Sequence, residues 1–407
     1  MKIVIQKFGG TSVSTEERRL LVLEKILDAK KNGYSPVVVV SAMGRKGDPY
    51  ATDTLLSLLD KHFKESNLQA TDLLMSCGEI ISTVVMSNEL NKRCIDSVPL
   101  LGGQSGIITD NNFGKASVIN VDTKKLLPIL NEKKIPVVAG FQGITEDGYI
   151  TTLGRGGSDV TACILGSALN ANKIEIYTDV DGIMTADPRI VKNASLIKEI
   201  SYNEVFELAY QGAKVIHPRA VEIAAKSNIP LVVKNTLNHC SGTIINKDGN
   251  EKYNSVITGI ANMNNRVQIN VSLADNDGNS NYFNILNTLG ENKISIDLIN
   301  VFPNKKIFTI NKNQFIPFSI MMKNLNIKYS YEDNCSKIAL IGNGIKDVPG
   351  VMATILKTLT KEGIEILQTA DSNTTIWCLV KTPSSVAAIN ALHRDFNLEN
   401  KYNCIKD

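Results

Sequence analysis

The stretch TTLGRGGSDVTA, residues 151–162, gathers one arginine, a run of glycines and a Ser-Asp pair at the head of a helical pattern. Arg155 offers a planar fork matched to a carboxylate or a phosphate. Gly154, Gly156 and Gly157 allow the backbone to approach a ligand closely. Ser158 is the expected N-cap of the helix that follows, whose positive end would face the same anion. Asp159 is placed to orient a lysine or a magnesium ion. The stretch reads as an anion clamp beside a charge organiser.

Outward from it, short β-branched runs alternate with helical patterns over roughly the first 235 residues. Lys2–Gln6, Val37–Ser41, Ile135–Ala139, Ile174–Thr178 and Ile229–Lys234 read as buried strands. Glu16–Lys31, Ser158–Ala171, Tyr202–Tyr210 and Lys214–Ser227 read as helices, with Pro218 in a first turn or at a kink. The alternation predicts an α/β fold: an open, mostly parallel sheet sandwiched by helices, with ligands at the carboxyl ends of the strands.

QKFGGTSV at 6–13 ends the first strand and opens a helix. Gly9 and Gly10 would let backbone N–H groups face a phosphate, and Lys7 would project toward that anion. The plainer alternative is a solvated lysine beside a tight turn. Neither G-x-x-x-x-G-K-[ST] nor G-x-G-x-x-G occurs, which excludes the P-loop and ordinary dinucleotide readings. IYTDVDGIMTADPRIV at 176–191 brings Thr178, Asp179, Asp181 and Arg189 to a strand end, a set suited to ribose and phosphates or to a hydrogen-bonded loop. GAKVIHPRAVEIA at 212–224 sets Lys214 at a helix start, and its His217 reads as structural rather than as a general base. In LLMSCGEIIS at 73–82, Glu79 sits in an apolar helix and needs a partner, either a substrate ammonium or a protein cation.

The 407 residues imply two or three domains. A net charge of +3, one tryptophan and no aromatic stripe argue against nucleic acid. Seven dispersed cysteines with no C-x-x-C pair point to reduced thiols rather than zinc. MKIVIQKF reads as a strand rather than a signal peptide, and no apolar run approaches membrane-spanning length. A cytoplasmic protein without a membrane partner is the expectation. Residues 238–255 read as a linker or hairpin. Beyond them the chain repeats at an offset of 70 residues: Ile285-Leu286-Asn287-Thr288-Leu289 matches Ile355-Leu356-Lys357-Thr358-Leu359, and Asp277 falls opposite Asp347. Two small α+β modules are expected there, packed on each other or on a partner's copy.

KFGG at 7–10, SAMG at 41–44, SCGE at 76–79, GFQG at 140–143, GRGGSD at 154–159, YTDVDGI at 177–183, DPR at 187–189 and AKVIHPRA at 213–220 together resemble the aspartate kinase family, of the amino-acid kinase fold. DVPGVMATIL at 347–356 is similar to the start of an ACT helix, so the resemblance spans nearly the whole chain. It implies an amino-acid kinase domain at 1–240 and ferredoxin-like ACT modules at 256–335 and 336–407. The implied reaction is phosphorylation of the L-aspartate β-carboxylate by ATP with Mg2+, feeding lysine, threonine, methionine and diaminopimelate synthesis.

By the same resemblance, Lys7 stabilises the transferring phosphoryl group and Asp159 organises Lys7. Arg155 holds the substrate α-carboxylate, Glu79 meets its ammonium, and Ser158 with Thr52 positions the β-carboxylate. ATP falls to Lys7, Phe8, Gly9, Gly10, Ser41, Thr178, Asp179, Met184, Arg189 and Lys214. An amino-acid effector falls to Asp277, Ser280, Ser295, Asp297, Val351, Met352, Glu365 and Ile366, in a homodimer or larger homo-oligomer. Two departures stand out. RKGDPYA at 45–51 intervenes before Thr52-Asp53, as in the diaminopimelate-responsive Bacillus type, and Val160 replaces a hydroxyl residue after GGSD. A β-carboxylate nucleophile, with a pKa of roughly 3.9, needs no general base, which suits a site of Lys, Arg and Gly. A kinase acting on glutamate or acetylglutamate, and an inactive amino-acid sensor, are the competing readings.

Overall fold

The computed structural model describes residues 1–213, 215–249, 256–276, 278–345 and 348–399. The chain forms two compact units, the first made of residues 1–183, 196–209 and 214–253 and the second of the rest.

In the first unit, β1 (Lys2–Phe8), β2 (Tyr34–Val40), β3 (Ser97–Leu100), β6 (Ile135–Ala139), β9 (Lys173–Thr178), β10 (Glu199–Ser201), β11 (Leu231–Asn235) and β12 (Thr243–Asn246) form one sheet, in the order β10-β12-β11-β9-β1-β2-β6-β3. All its pairings are parallel except β11 with β12. A smaller sheet holds β4 (Ile107–Thr109), β5 (Val118–Val121), β7 (Gln142–Thr145) and β8 (Ile150–Thr152). The helices are α1 (Glu16–Lys31), α2 (Thr52–Leu56), α3 (Lys61–Ser66), α4 (Leu68–Asn91), α5 (Leu126–Asn131), α6 (Gly157–Ala168), α7 (Tyr202–Tyr210) and α8 (Pro218–Ser227).

β1 lies at the centre, with β9 on one side and β2 on the other. Its residues alternate between faces, so Lys7 and Gln6 point oppositely. On the Gln6 face, Glu175 of β9 accepts from Gln6 Nε2, Lys173 Nζ and Lys234 Nζ at 2.9, 2.8 and 3.1 Å. Burial raises the Glu175 pKa, but the Lys234 charge and the Lys173 and Gln6 hydrogen bonds outweigh it and bring it to about 2. The expected linker at 238–255 resolves in part as the β11–β12 hairpin, which carries the first sheet past the expected boundary at residue 240.

One expectation needs correction. α4 has 24 residues and a mean hydropathy of 1.2 in its most apolar window, enough by length and composition to cross a membrane. It is instead a core helix of this unit: Asp72, Glu79 and Glu89 are all buried along it.

The second unit is built on a six-stranded sheet of β13 (Gly259–Ser272), β14 (Ile296–Phe302), β15 (Lys305–Asn311), β16 (Ser330–Ile341), β17 (Gln368–Asp371) and β18 (Thr375–Lys381), in the order β14-β15-β13-β16-β18-β17. Its helices are α9 (Asn281–Glu291), α10 (Phe315–Asn324), α11 (Val351–Lys361) and α12 (Thr382–Asp395). The repeat is real in three dimensions. Ile285 and Leu289 of α9 and Ile355 and Leu359 of α11 are fully buried, and each helix ends on a left-handed residue, Lys293 (φ 56°) or Gly363 (φ 68°). The following amides, Ile294 and Ile364, return to Leu289 O and Leu359 O at 2.9 Å.

The two cores divide the chain differently from a cut at 335/336. β13 is bent by a bulge between Met263 and Arg266. Beyond it, Val267, Ile269 and Val271 join the core of α9 and α10. Before it, Ile257 and Ile260 join Ile338, Leu340, Ile355 and Ile389 in the core of α11 and α12. The first module is thus inserted into a strand pair of the second.

Candidate functional site

The site grows from the carboxyl ends of β9, β1 and β2, which are laced together. Gly9 N–H donates to Tyr177 O at 3.3 Å, Ser41 N–H to Phe8 O at 3.1 Å, and Gly44 N–H to Gly10 O at 3.0 Å. A Cβ on Gly10 would stand 2.4 Å from Ala42 O and 2.9 Å from Gly44 O, so only glycine fits between the β1 and β2 loops. Around Gly9 there is room instead. A Cβ there would lie 3.7 Å from Lys7 Nζ, in the space an anion approaching that ammonium has to enter.

Lys7 and Asp159, 152 positions apart in sequence, meet with Nζ 2.7 Å from Oδ1, both nearly buried. The contact is a close ion pair rather than an aligned hydrogen bond, since Oδ1 makes none. Asp159 sits in the first turn of α6. Gly156 is the N-cap, left-handed at φ 69°, and a Cβ on it would strike the His217 ring at 2.3 Å. Ser158 is therefore the second residue of the helix and not its cap. Buried, it packs against Gly140, where a Cβ would come within 2.8 Å of it. Arg155, in the turn before the helix, is exposed.

Glu79 is 3 % exposed. Its Oε1 accepts from Ala42 N–H at 3.1 Å, and its Oε2 has no partner. Burial pushes its pKa up to about 8, against the Ala42 N–H bond that favours the anion. No protein cation pairs with it among the described residues. One residue away, Gly78 lets α4 approach the loop after β2: a Cβ there would lie 2.7 Å from Ala42 Cβ and 2.8 Å from Tyr50 O.

Other expectations at this site change. The segment after Gly9 is a three-residue 3-10 turn, Gly10–Ser12, and α1 starts only at Glu16, capped by Thr15. α1 therefore does not begin at the glycine turn, and the Gly9 N–H is already committed to Tyr177 O. Phe8 is fully buried and stacks on Tyr177, with centroids 4.8 Å apart, so its side chain is core. Ser41 and Thr178 are half-buried at the strand ends, Thr178 Oγ1 closing a turn with Val180 N–H at 3.0 Å. Asp179 is paired with Arg45. Thr52 is the first residue of α2. Met184 and Arg189 belong to the second unit, where Arg189 forks onto Asp187. Lys214 lies outside the described residues.

His217 is the N-cap of α8, its Nδ1 accepting from Arg219 N–H at 3.3 Å. Burial lowers its pKa, opposed by Asp159 and helped by Arg219, which suits a neutral, structural imidazole. Sequence reasoning missed two organisers. Buried Asp72, two helical turns before Glu79, takes Thr152 N–H, Thr152 Oγ1 and Gly114 N–H at 2.8, 2.7 and 2.9 Å. Arg219 donates to Leu153 O at 2.8 Å. Both hold the strand that leads into the glycine turn.

Of the effector residues, Ser280 and Ser295 are exposed at the start of α9 and before β14. Asp297 is paired with the buried Lys337 of β16. Val351 and Met352 open α11, with Glu365 and Ile366 ahead of β17. Asp277, like Asp347, lies outside the described residues.

The chain matches the amino acid kinase family over residues 2–235 and an ACT domain over residues 330–394. It is 42% identical to Aspartokinase 1 of Bacillus subtilis, over 98% of this chain and 100% of that one. It is 35% identical to an aspartokinase of Helicobacter pylori over 98% and 100%. Among solved structures it is similar to E. coli aspartokinase III in complex with aspartate and ADP, in the R-state. There the TM-score is 0.78 at 26% identity, covering 97% of this chain and 99% of that one. The T-state of the same protein, with lysine and aspartate, aligns at TM-score 0.76 and 26% identity, with the same coverage.

The raised pKa of Glu79 carries a sign that melting curves can read. Its folded value lies above that of an unfolded glutamate, so stability is highest where both forms are protonated and is lost as pH climbs from about 4.5 toward 8. Glu79→Gln removes that loss. Its melting temperature relative to the parent is expected to rise between pH 5 and pH 8.5, and parallel curves for the two proteins would contradict the assignment.

Proposed function

Because this chain belongs to the aspartokinase family, we propose that it transfers the terminal phosphoryl group of ATP to the β-carboxylate of L-aspartate, with the Lys7–Asp159 pair as the working electrostatic element. The observation that carries this reading is the 2.7 Å ion pair at the end of the central strand, beside Gly9, where a Cβ would already stand 3.7 Å from Lys7 Nζ. Two anions have to meet there. Phosphoryl transfer asks of the protein chiefly positioning and charge stabilisation, and a fixed cation supplies the latter. Asp159 keeps the Lys7 ammonium in place.

The acceptor carboxylate is an anion at neutral pH, which fits the use of His217 as a cap rather than a base. Arg155 takes the α-carboxylate, Glu79 the ammonium, and Ser158 and Thr52 the side-chain carboxylate. An ammonium against Glu79 supplies the positive charge its burial lacks and restores the carboxylate. Glu79 also binds Ala42 N–H, next to Ser41, so the amino-acid end and the phosphate end share one loop. Mg2+ would come bound to the nucleotide phosphates, whose charge it would offset, while Asp159 is committed to Lys7.

A catalytic first unit, two regulatory modules that share β13 and β16, a cytoplasmic location and a homodimer or larger homo-oligomer complete the proposal. The second unit serves as an amino-acid sensor, with lysine, threonine and diaminopimelate as candidate effectors.

Lys7→Ala and Asp159→Ala are each expected to cut kcat at least a hundredfold, on the scale of a lost transition-state contact, while circular dichroism stays that of the parent. Parent-like turnover in either variant removes the assigned roles. For the sensor, initial rates are titrated with lysine, threonine and diaminopimelate, singly and in pairs. Asp297→Asn is expected to raise the half-inhibitory concentration of the active effector about tenfold, within the usual range of site coupling. Unchanged inhibition in that variant places the effector elsewhere.

A further inference from the structure

The loop of residues 45–51 adds a cation to the mouth of the site. It starts from Gly44, whose amide is bonded to Gly10 O at 3.0 Å, so Arg45 leaves the backbone directly beside the glycine turn of β1. The loop is firmly built. Arg45 N–H donates to Asp48 Oδ2 at 2.7 Å, Asp48 N–H returns to Arg45 O at 2.9 Å, and Gly47 N–H donates to Thr54 Oγ1 at 3.0 Å. Gly44 is left-handed at φ 88°, and a Cβ there would lie 2.3 Å from Asp48 Oδ2. Backbone position is therefore set, while the Arg45 side chain is 72 % exposed and reaches Asp179 at 2.6 Å.

That reach spans the site. Asp179 follows the last residue of β9, and Arg45 comes five residues after the end of β2. β1 runs between these two strands. The Arg45–Asp179 pair therefore links the strands on either side of β1 at its carboxyl end.

We propose that Arg45 is a phosphate ligand of the reaction, which leaves Asp179 for the nucleotide's polyphosphate when the nucleotide settles over Gly9. This rests on the kinase reading above. An ion pair this exposed contributes little to stability, so parting from Asp179 costs little. A polyphosphate offers several charged oxygens to a planar fork, a stronger partner than one solvated carboxylate. Lys7 is fixed and tied to Asp159; Arg45 is the mobile second cation that screens the phosphates from the incoming carboxylate.

Arg45→Gln and Arg45→Lys in the full chain test the assignment. KM for ATP is expected to rise about tenfold in Arg45→Gln and less in Arg45→Lys, on the scale of a lost charge-assisted hydrogen bond, with KM for aspartate within twofold of the parent. Calorimetry supplies a readout that loop damage alone would not move: affinity for ADP and ATP falls in Arg45→Gln, while affinity for adenosine does not. An unchanged or lowered KM for ATP, the latter marking Arg45 as a mere bar across the entrance, overturns the proposal; so does equal loss of adenosine and ADP. Absence of ATP-dependent aspartyl phosphate formation by the parent would refute the kinase reading alone, because the nucleotide-binding comparison still decides the role of Arg45.

Discussion

The ammonium of Lys7 against the carboxylate of Asp159 is the contact on which the arrangement of the first unit turns. A cation held near-buried at the end of a central strand needs a fixed counter-charge, and the counter-charge needs a rigid support. α6 supplies it, but only because Gly156 takes a left-handed conformation under the His217 ring and Gly140 leaves room for Ser158. Asp72 and Arg219 tie down the strand before that turn. On the other side, Gly10 and Gly78 let the β2 loop and α4 come close, which brings Glu79 within bonding distance of Ala42. Glycines separated along the chain thus serve one purpose, the close approach of backbones around a single pair of charges.

The second unit has its own logic. A strand bent at a bulge feeds two cores, so the two modules share β13 and β16 and cannot be separated by one cut. The segment Met184–Ser195 also belongs to it. Ala186 and Val191 enter the core of α11 and α12, Thr185 Oγ1 lies 2.9 Å from Nε2 of the buried His393, and Ile260 N–H donates to Thr185 O at 2.8 Å. The chain leaves the first unit after Ile183 and returns at Leu196. The loop expected to carry nucleotide contacts Met184 and Arg189 is therefore folded as part of the second unit.

Much of this was legible in the sequence because the signals are local. Glu16–Lys31, Ile135–Ala139 and Tyr202–Tyr210 coincide with the observed elements, since runs of β-branched residues and apolar spacing act within a few residues. The meeting of Lys7 with Asp159 was legible through motif chemistry, whereas Arg155, expected in the same pocket, stands exposed in the turn before α6. What escaped depends on long-range contact. The Ser158 cap failed because a left-handed glycine two residues earlier starts the helix. The helix after Gly9 became a 3-10 turn because Gly9 and Gly10 are held by Tyr177 and Gly44. Membrane-length α4 was passed over because its scattered polar residues, Asp72 and Glu79 among them, hide its apolar average. The module boundary was missed because a repeat shows where helices recur, not which core a shared strand feeds.

A double-mutant cycle on kcat tests the central contact most directly, because residues that act as one device lose their effect once rather than twice. With Lys7→Ala, Asp159→Ala and the pair together, the double variant is predicted to be no slower than the worse single variant. Losses that multiply would show the two side chains working independently, and would contradict the account.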